Sequence, residues 1–174
     1  EGTAAETASG WTVDLDATGP RAIALAATIS LPKDAAISAK LDANIGSINW
    51  IVPDLNGPAS IVATARQAGE AWALDAAAKG PGGSTVNING QIASNAKNAA
   101  LALNGRVPLG LLNQRLQPNS LQGFADFDMK LNGPLVLSSV RGQVRTSGTR
   151  FSLPALRNAL TDIDATVTLD GGNA

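Results

Sequence analysis

The chain has 174 residues, with 13 Lys and Arg, 14 Asp and Glu, and a net charge of −1. It contains neither cysteine nor histidine, which excludes disulfides, thiolate chemistry and the commonest metal ligand and general base. The basic residues are scattered and aromatic residues make up only 3%, so nothing indicates a nucleic-acid-binding surface. No segment approaches the roughly 18 apolar residues of a membrane-spanning helix.

Apolar and polar residues alternate one by one along most of the chain. Side chains two residues apart lie on the same face of a β-strand, so each alternating run predicts a strand with one apolar and one polar face. Ten such runs follow one another, at residues 11–17, 23–29, 39–45, 59–65, 72–78, 86–92, 101–107, 125–131, 140–146 and 163–169. They predict an all-β domain with mainly antiparallel strands.

The nine prolines all stand where the alternation stops, as expected of a residue that cannot donate a hydrogen bond to a sheet. Four of them follow glycine and predict turns between strands, namely Pro20, Pro58, Pro81 and Pro134. The glycine-rich segment 79–85 superficially resembles a phosphate-binding loop. It lacks the Gly-Lys-Ser/Thr ending of such a loop, so we interpret it as a hairpin turn.

Prolines that follow an aliphatic residue predict very short helices, because proline is favourable at the first helical position. Helices of one or two turns should begin after Pro108 and Pro154, and a weaker one is predicted at Trp50–Leu55. One to three helices of this size cannot cover a sheet of ten strands. The sheet must therefore fold on itself, meet another copy or leave its apolar face open.

We expect residues 1–174 to form one elongated, strongly curved sheet, folded into an open, taco-like apolar groove. Alanine is frequent at inward positions, whereas a closed sandwich needs bulky side chains to fill the roughly 10 Å between its sheets. The alternative interpretation is that the apolar residues of the same alternating runs form the core of a sealed β-sandwich. The side chains predicted to line the groove and bind lipid or client there are Val13, Leu15, Ile23, Leu25, Leu41, Ile45, Ile61, Trp72, Leu74, Val86, Ile88, Ile92, Leu101, Leu103, Phe127, Met129, Leu131, Val144, Val167 and Leu169.

Three Asp-x-Asp pairs are the strongest candidates for chemistry, at positions 14 and 16, 126 and 128, and 162 and 164. Paired carboxylates are typical of metal sites and of glycoside hydrolysis. All three pairs are out of phase with the apolar rows, which indicates a solvated polar face instead. We therefore expect no catalytic site, no metal and no cofactor, and a protein that is not an enzyme.

The last third of the chain carries a strand–Gly-Pro unit followed by further alternating segments. In chain order these are Leu121–Leu135, Val140–Gly148, Arg150–Leu156 and Leu160–Gly171, with a looser version at Leu103–Leu109 and Leu116–Gly123. This order resembles the periplasmic β-rich region of the TamB family, the inner-membrane subunit of the translocation and assembly module, within the AsmA-like group. The resemblance is best over residues 101–171.

The resemblance implies a protein of Gram-negative bacteria that is anchored in the inner membrane by an N-terminal helix and crosses the periplasm as a long curled sheet. It also implies a TamA-like outer-membrane barrel as partner. The implied role is outer-membrane biogenesis, through phospholipid transfer or through assembly and secretion of barrel proteins such as autotransporters. The chain would then be part of a longer periplasmic protein, and the family offers no catalytic residues.

Two functions follow as hypotheses, besides a purely structural domain with a closed core. The first is a non-catalytic lipid conduit, since a long apolar face is unusual in water without a ligand such as phospholipid acyl chains. The alternative is a chaperone-like module that binds outer-membrane protein clients by adding a client strand to a sheet edge. The first and last strands of such a sheet have unpaired backbone groups along their outer edges. These edges predict edge-to-edge self-association of the chain.

Overall fold

The computed structural model describes residues 1–20, 22–49 and 56–171, and these contain one antiparallel sheet of eleven strands. Each strand pairs with the strands before and after it in the chain, so the spatial order equals the sequence order. The strands are β1 (Gly2–Thr7), β2 (Gly10–Gly19), β3 (Ile23–Pro32), β4 (Ser38–Ile45), β5 (Ala59–Ala68), β6 (Ala71–Gly80), β7 (Ser84–Ala93), β8 (Asn98–Pro108), β9 (Ser120–Pro134), β10 (Val140–Leu153) and β11 (Asn158–Asp170). The ten predicted strands and their antiparallel pairing are confirmed as β2 to β11.

The first strand, β1, was not predicted. Its sequence, Gly2–Thr7, has no alternation of large apolar residues, and all six residues are exposed. It forms because its backbone pairs with β2 across the turn at Ala8 and Ser9, with Thr7 opposite Gly10. Backbone pairing of this kind leaves no hydrophobic pattern in the sequence.

The helix predicted after Pro108 is confirmed. A 3₁₀ turn at Leu109–Leu112 leads into the single helical turn α1 at Asn113–Leu116, and we call Leu109–Leu116 the cap segment. None of the helices among the described residues is long and apolar enough to cross a membrane.

Of the one or two helical turns predicted after Pro154, a single turn is present. Only Pro154–Leu156 is helical, as a 3₁₀ turn, and Arg157 then takes a left-handed φ of 50°. From Asn158 the chain is already in β11, because Asn158 pairs with Leu153 of β10. The weaker helix predicted at Trp50–Leu55 lies outside the described residues.

The glycine-rich segment is a turn, as predicted. Pro81–Gly83 forms a 3₁₀ turn that joins β6 to β7. Ser84 fixes its end, because the Ser84 hydroxyl donates a 2.6 Å hydrogen bond to the carbonyl of Pro81.

The pairing of β10 with β11 is interrupted by bulges. Thr146 lies opposite Ala165 and the next partners are Thr149 and Ile163, so β10 has two residues between these pairs and β11 has one. Between Thr149–Ile163 and the following pair, Phe151–Leu160, the extra residue is in β11. The backbone N–H of Gly148 donates a 2.9 Å hydrogen bond to Asp164 Oδ1. A carboxylate of one predicted Asp-x-Asp pair thus stabilises the bulge, which keeps the apolar side chains beyond it on the same face of the sheet.

These strands form a single layer and not a sealed sandwich. A compact chain of 17.6 kDa exposes about 7,900 Å², whereas this chain exposes 11011 Å². Among the described residues no large side chain is fully buried, and the buried hydrophobic residues are Ala43, Ala99, Leu109 and Ala125. The strong curvature and the groove expected from the sequence stay predictions.

Candidate functional site

The register of the sheet aligns the apolar positions of ten strands into continuous rows. Residues directly opposite on neighbouring strands share a face. One row runs from β2 to β11 through Leu15, Ala27, Leu41, Ala63, Ala76, Ile88, Leu103, Met129, Gly142 and Leu169. A second row, two residues along each strand, includes Leu25, Ile61, Phe127, Val144 and Val167. The sheet therefore has one apolar face.

The structure places all twenty predicted groove residues on this apolar face. Leu15, Leu25 and Val167 are exposed, at 45%, 38% and 46%, and the other seventeen are half-buried. None is as buried as a core residue, because each packs sideways against its cross-strand neighbours and not against a second layer. Binding of lipid or client by these side chains stays a prediction.

Part of the apolar face is covered at the end of the strands where β8 stops and β9 begins. There the cap segment crosses from the end of β8 to the start of β9. Asn113 fastens it, since its Oδ1 accepts a 2.7 Å hydrogen bond from the backbone N–H of Leu121. Leu109, 8% exposed, is the most deeply inserted leucine of the segment, while Leu112 is 50% exposed.

Two apolar hollows flank the cap segment. The first hollow, of about 290 Å³, is lined by Ile45, Ile48, Ala59, Ile61, Ala78, Lys79, Gly80, Pro81, Ser84, Val86, Val107 and Leu111. The second hollow, of about 420 Å³, is lined by Leu109, Leu112, Leu116, Leu121, Thr146, Thr149, Phe151, Ile163 and Ala165. Both hollows have the size of small-ligand sites.

None of the residues that line the second hollow was among the predicted groove residues, although Thr146, Ile163 and Ala165 lie in two of the predicted alternating runs. Strict alternation ends at Thr146, so the phase could not be followed into the rest of β10. The available signal was a spacing of three between like residues, from Thr146 to Thr149 and from Leu160 to Ile163. A spacing of three within an alternating run indicates a bulge, after which the alternation resumes on the same face.

The opposite face carries the charged side chains. Arg106 and Asp126, directly opposite on β8 and β9, form a two-bonded ion pair, with Nε–Oδ1 at 2.6 Å and Nη2–Oδ2 at 2.9 Å. The Arg106 guanidinium also lies over the Phe124 ring, 5.3 Å from its centroid. The hydrogen bond from Arg106 lowers the pKa of the Asp126 carboxyl, and the same bond raises the pKa of Arg106.

The three Asp-x-Asp pairs are solvated, as predicted. All six carboxylates are on exposed residues, and several already have partners within the sheet. Asp14 accepts a 2.7 Å hydrogen bond from Thr28, in addition to the bonds of Asp126 and Asp164 described above. Among the described residues, no group of three or more Asp, Glu, His or Cys side chains is placed to hold a metal ion.

No family model, curated protein or solved structure matches the chain. The function is therefore inferred from the sheet itself, whose most unusual feature is an apolar face that most of the described chain leaves uncovered. Exposed apolar patches on monomers usually extend over a few hundred Å² and mark interaction sites when they are larger.

Proposed function

We propose that the chain is a non-catalytic lipid carrier whose apolar face holds acyl chains during outer-membrane biogenesis in the periplasm. The observation that carries the proposal is the single-layer sheet, with an accessible surface of 11011 Å² against about 7,900 Å² for a compact chain of this mass. The excess of about 3,100 Å² corresponds to a face that a second layer would cover in an ordinary domain.

An acyl chain suits this face better than a rigid ligand does. Large side chains alternate with alanine along parts of the rows, as at Leu15, Ala27 and Leu41, so the surface has low relief and few polar atoms. The ten strands from β2 to β11 have nine spacings of about 4.8 Å between them, which give the face a length of about 43 Å. Hydrocarbon laid along it would be removed from water together with the protein side chains, which is favourable in proportion to the area buried.

The polar face is suited to contact with water and not to lipid. It carries the ion pairs Arg106–Asp126, Lys40–Asp42 and Arg141–Asp170, at 2.6, 2.9 and 2.7 Å. All six side chains are more than a third exposed. Head groups of bound lipid would lie at the margins of the apolar face, where they reach water.

Strand addition of outer-membrane protein clients is the second candidate function. It is favoured by the two terminal strands, β1 and β11, each of which has a strand neighbour on only one side. An added client strand would form backbone hydrogen bonds with such an edge. The TamA-like barrel and the periplasmic location come into the proposal through the family resemblance.

The lipid proposal is tested by native mass spectrometry of the purified chain, with Leu103→Arg as the disruptive variant. Leu103 lies in the middle of the apolar face, between Ile88 and Met129. We expect phospholipid to copurify with the natural chain and to be lost from the variant. A long arginine side chain at an open face can reach water with its charge, so the variant should stay folded.

Asn104→Arg is the matched control, because Asn104 is the next residue of β8 and is exposed on the polar face. It adds the same charge and should retain lipid. Folded Leu103→Arg protein that binds as much lipid as the control would refute the proposal. A natural chain that brings no lipid, and binds none when lipid is supplied, would refute it as well.

A further inference from the structure

The second hollow contains a polar atom that the protein itself leaves without a partner. Thr149 is only 3% exposed. Its Oγ1 is the one buried side-chain oxygen without a hydrogen bond in the described part of the chain. The buried hydroxyl of Ser84, by contrast, is satisfied by the Pro81 carbonyl. Buried polar groups are nearly always paired, so an orphaned hydroxyl in an apolar hollow needs an explanation.

The bulge in β10 is what brings this hydroxyl to the apolar face. Thr149 lies opposite Ile163 on β11, and on the other side the pairing with β9 skips from Ser147 to Arg150. Gly123 of β9 stands beside it: a β-carbon at Gly123 would lie 3.1 Å from Thr149 Oγ1. Gly123 has a φ of 119°, a conformation that favours glycine, and the place next to the hydroxyl is therefore free of a side chain.

We infer that the second hollow binds the ester region of an acylated lipid, and that Thr149 Oγ1 donates a hydrogen bond to an acyl ester carbonyl. This inference rests on the proposed lipid-carrying function and assigns it a specific site. An ester combines hydrocarbon with an uncharged acceptor. It can satisfy the hydroxyl without bringing a charge among Leu109, Leu116 and Phe151, which would be costly.

The hydroxyl reaches the ligand by rotation of its own side chain. Oγ1 is closed off from solvent in this structure, but threonine has three staggered χ1 positions, so a turn of about 120° moves the hydroxyl to a new position. The cap segment above it contains a helix of a single turn, which is too short to be stable alone. Its position above the hollow is therefore set by packing, chiefly of Leu109, and by the hydrogen bond of Asn113.

Two soluble short-chain phospholipids that differ only at the proposed contact provide the test. Dihexanoyl phosphatidylcholine has two ester carbonyls, and its diether analogue has the same chains and head group without them. By calorimetric titration we expect the natural chain to bind the diester about fivefold more tightly than the diether. This difference in affinity is what one neutral hydrogen bond usually contributes. Thr149→Val, which keeps the shape and removes the hydroxyl, should bind both lipids equally.

Two further variants locate the contact. Thr149→Ser retains the hydroxyl and should retain the preference for the diester. Thr146→Val removes the other hydroxyl of the hollow and should also retain it. In the natural chain, isotope-edited infrared spectra should show one ester carbonyl stretch shifted to lower frequency on binding, a readout that needs no variant.

The possible failures are distinguishable. If both lipids bind equally to the natural chain, or if Thr149→Val keeps the preference, the Thr149 contact is refuted while lipid binding by the apolar face stands. If neither lipid binds to the natural chain at any soluble concentration, the site and the proposed function are refuted together.

Discussion

The ring of Phe127 lies over Gly105, its direct partner across β8 and β9. A β-carbon placed on Gly105 would stand 2.6 Å from Phe127 Cζ, and 2.1 Å from the backbone oxygen of Thr85 on the other side. The aromatic side chain thus covers a gap in the apolar face that the glycine leaves open. Because the two residues are opposite each other, the size of one depends on the size of the other.

Gly105→Ala should therefore destabilise the sheet by about 2 kcal/mol, since forced overpacking typically costs about 1–3 kcal/mol. The added methyl group meets backbone as well as the ring, so the ring cannot relieve it by moving alone. Urea unfolding measures the change in the free energy of unfolding. Gly19→Ala is the control, because the nearest atom to its β-carbon would be 3.7 Å away; an equal loss in both variants would contradict the argument.

The Arg106–Asp126 ion pair makes part of the stability of the folded chain depend on pH. The bond from Arg106 lowers the pKa of Asp126 in the folded chain, so its contribution is present above the unfolded pKa of about 3.9 and is lost as the pH falls through the lower folded value. A carbon-13 titration of the Asp126 carboxyl should give a lower midpoint in the natural chain than in Arg106→Gln. Arg66→Gln, on the distant strand β5, should leave the midpoint unchanged, and equal midpoints in all three would disprove the coupling.

We expect the packing of Leu109 to contribute most to holding the cap segment in place. Leu109→Ala removes a side chain that is 8% exposed and should lower the free energy of unfolding by about 2–3 kcal/mol, the lower range for buried leucines. Leu112→Ala, at a position 50% exposed, should cost under about 1 kcal/mol. Thermal denaturation followed by circular dichroism compares the two. Similar losses would show that the segment does not pack through Leu109.

Edge-to-edge self-association is expected at β11. The N–H of Gly171 bonds to the Val140 carbonyl, so by alternation of the antiparallel ladder the N–H groups of Thr166 and Thr168 point away from β10. Thr168→Pro then removes an outward donor without breaking the ladder, as proline is tolerated on edge strands. Sedimentation equilibrium should show concentration-dependent dimers for the natural chain and fewer for the variant.

A control for the edge is Thr28→Pro, in the interior strand β3, which should destabilise the sheet by loss of pairing and not merely reduce association. A natural chain that stays monomeric at high concentration would contradict the expected self-association. It would also weaken strand addition as the mode of client binding.

The sequence predicted the faces of the strands better than their ends. Alternation placed Leu103 and Phe127 on the correct side because any one-residue slip would turn every apolar side chain of a strand to the polar face. It could not predict β1, which is held by backbone pairing, or the early start of β11 at Asn158. It also could not show the hollow at Thr149, since that site depends on a bulge and on a cap segment brought over the face by tertiary packing.

The strictly sequential order of the strands has a consequence for how such a chain can change in evolution. Because each strand pairs only with its chain neighbours, insertion or deletion of one hairpin leaves all other pairings and both faces intact. Each added hairpin lengthens the sheet by about 10 Å, twice the spacing between strands. The length of the sheet can thus change in steps of one hairpin without a change in the pairing of any other strand.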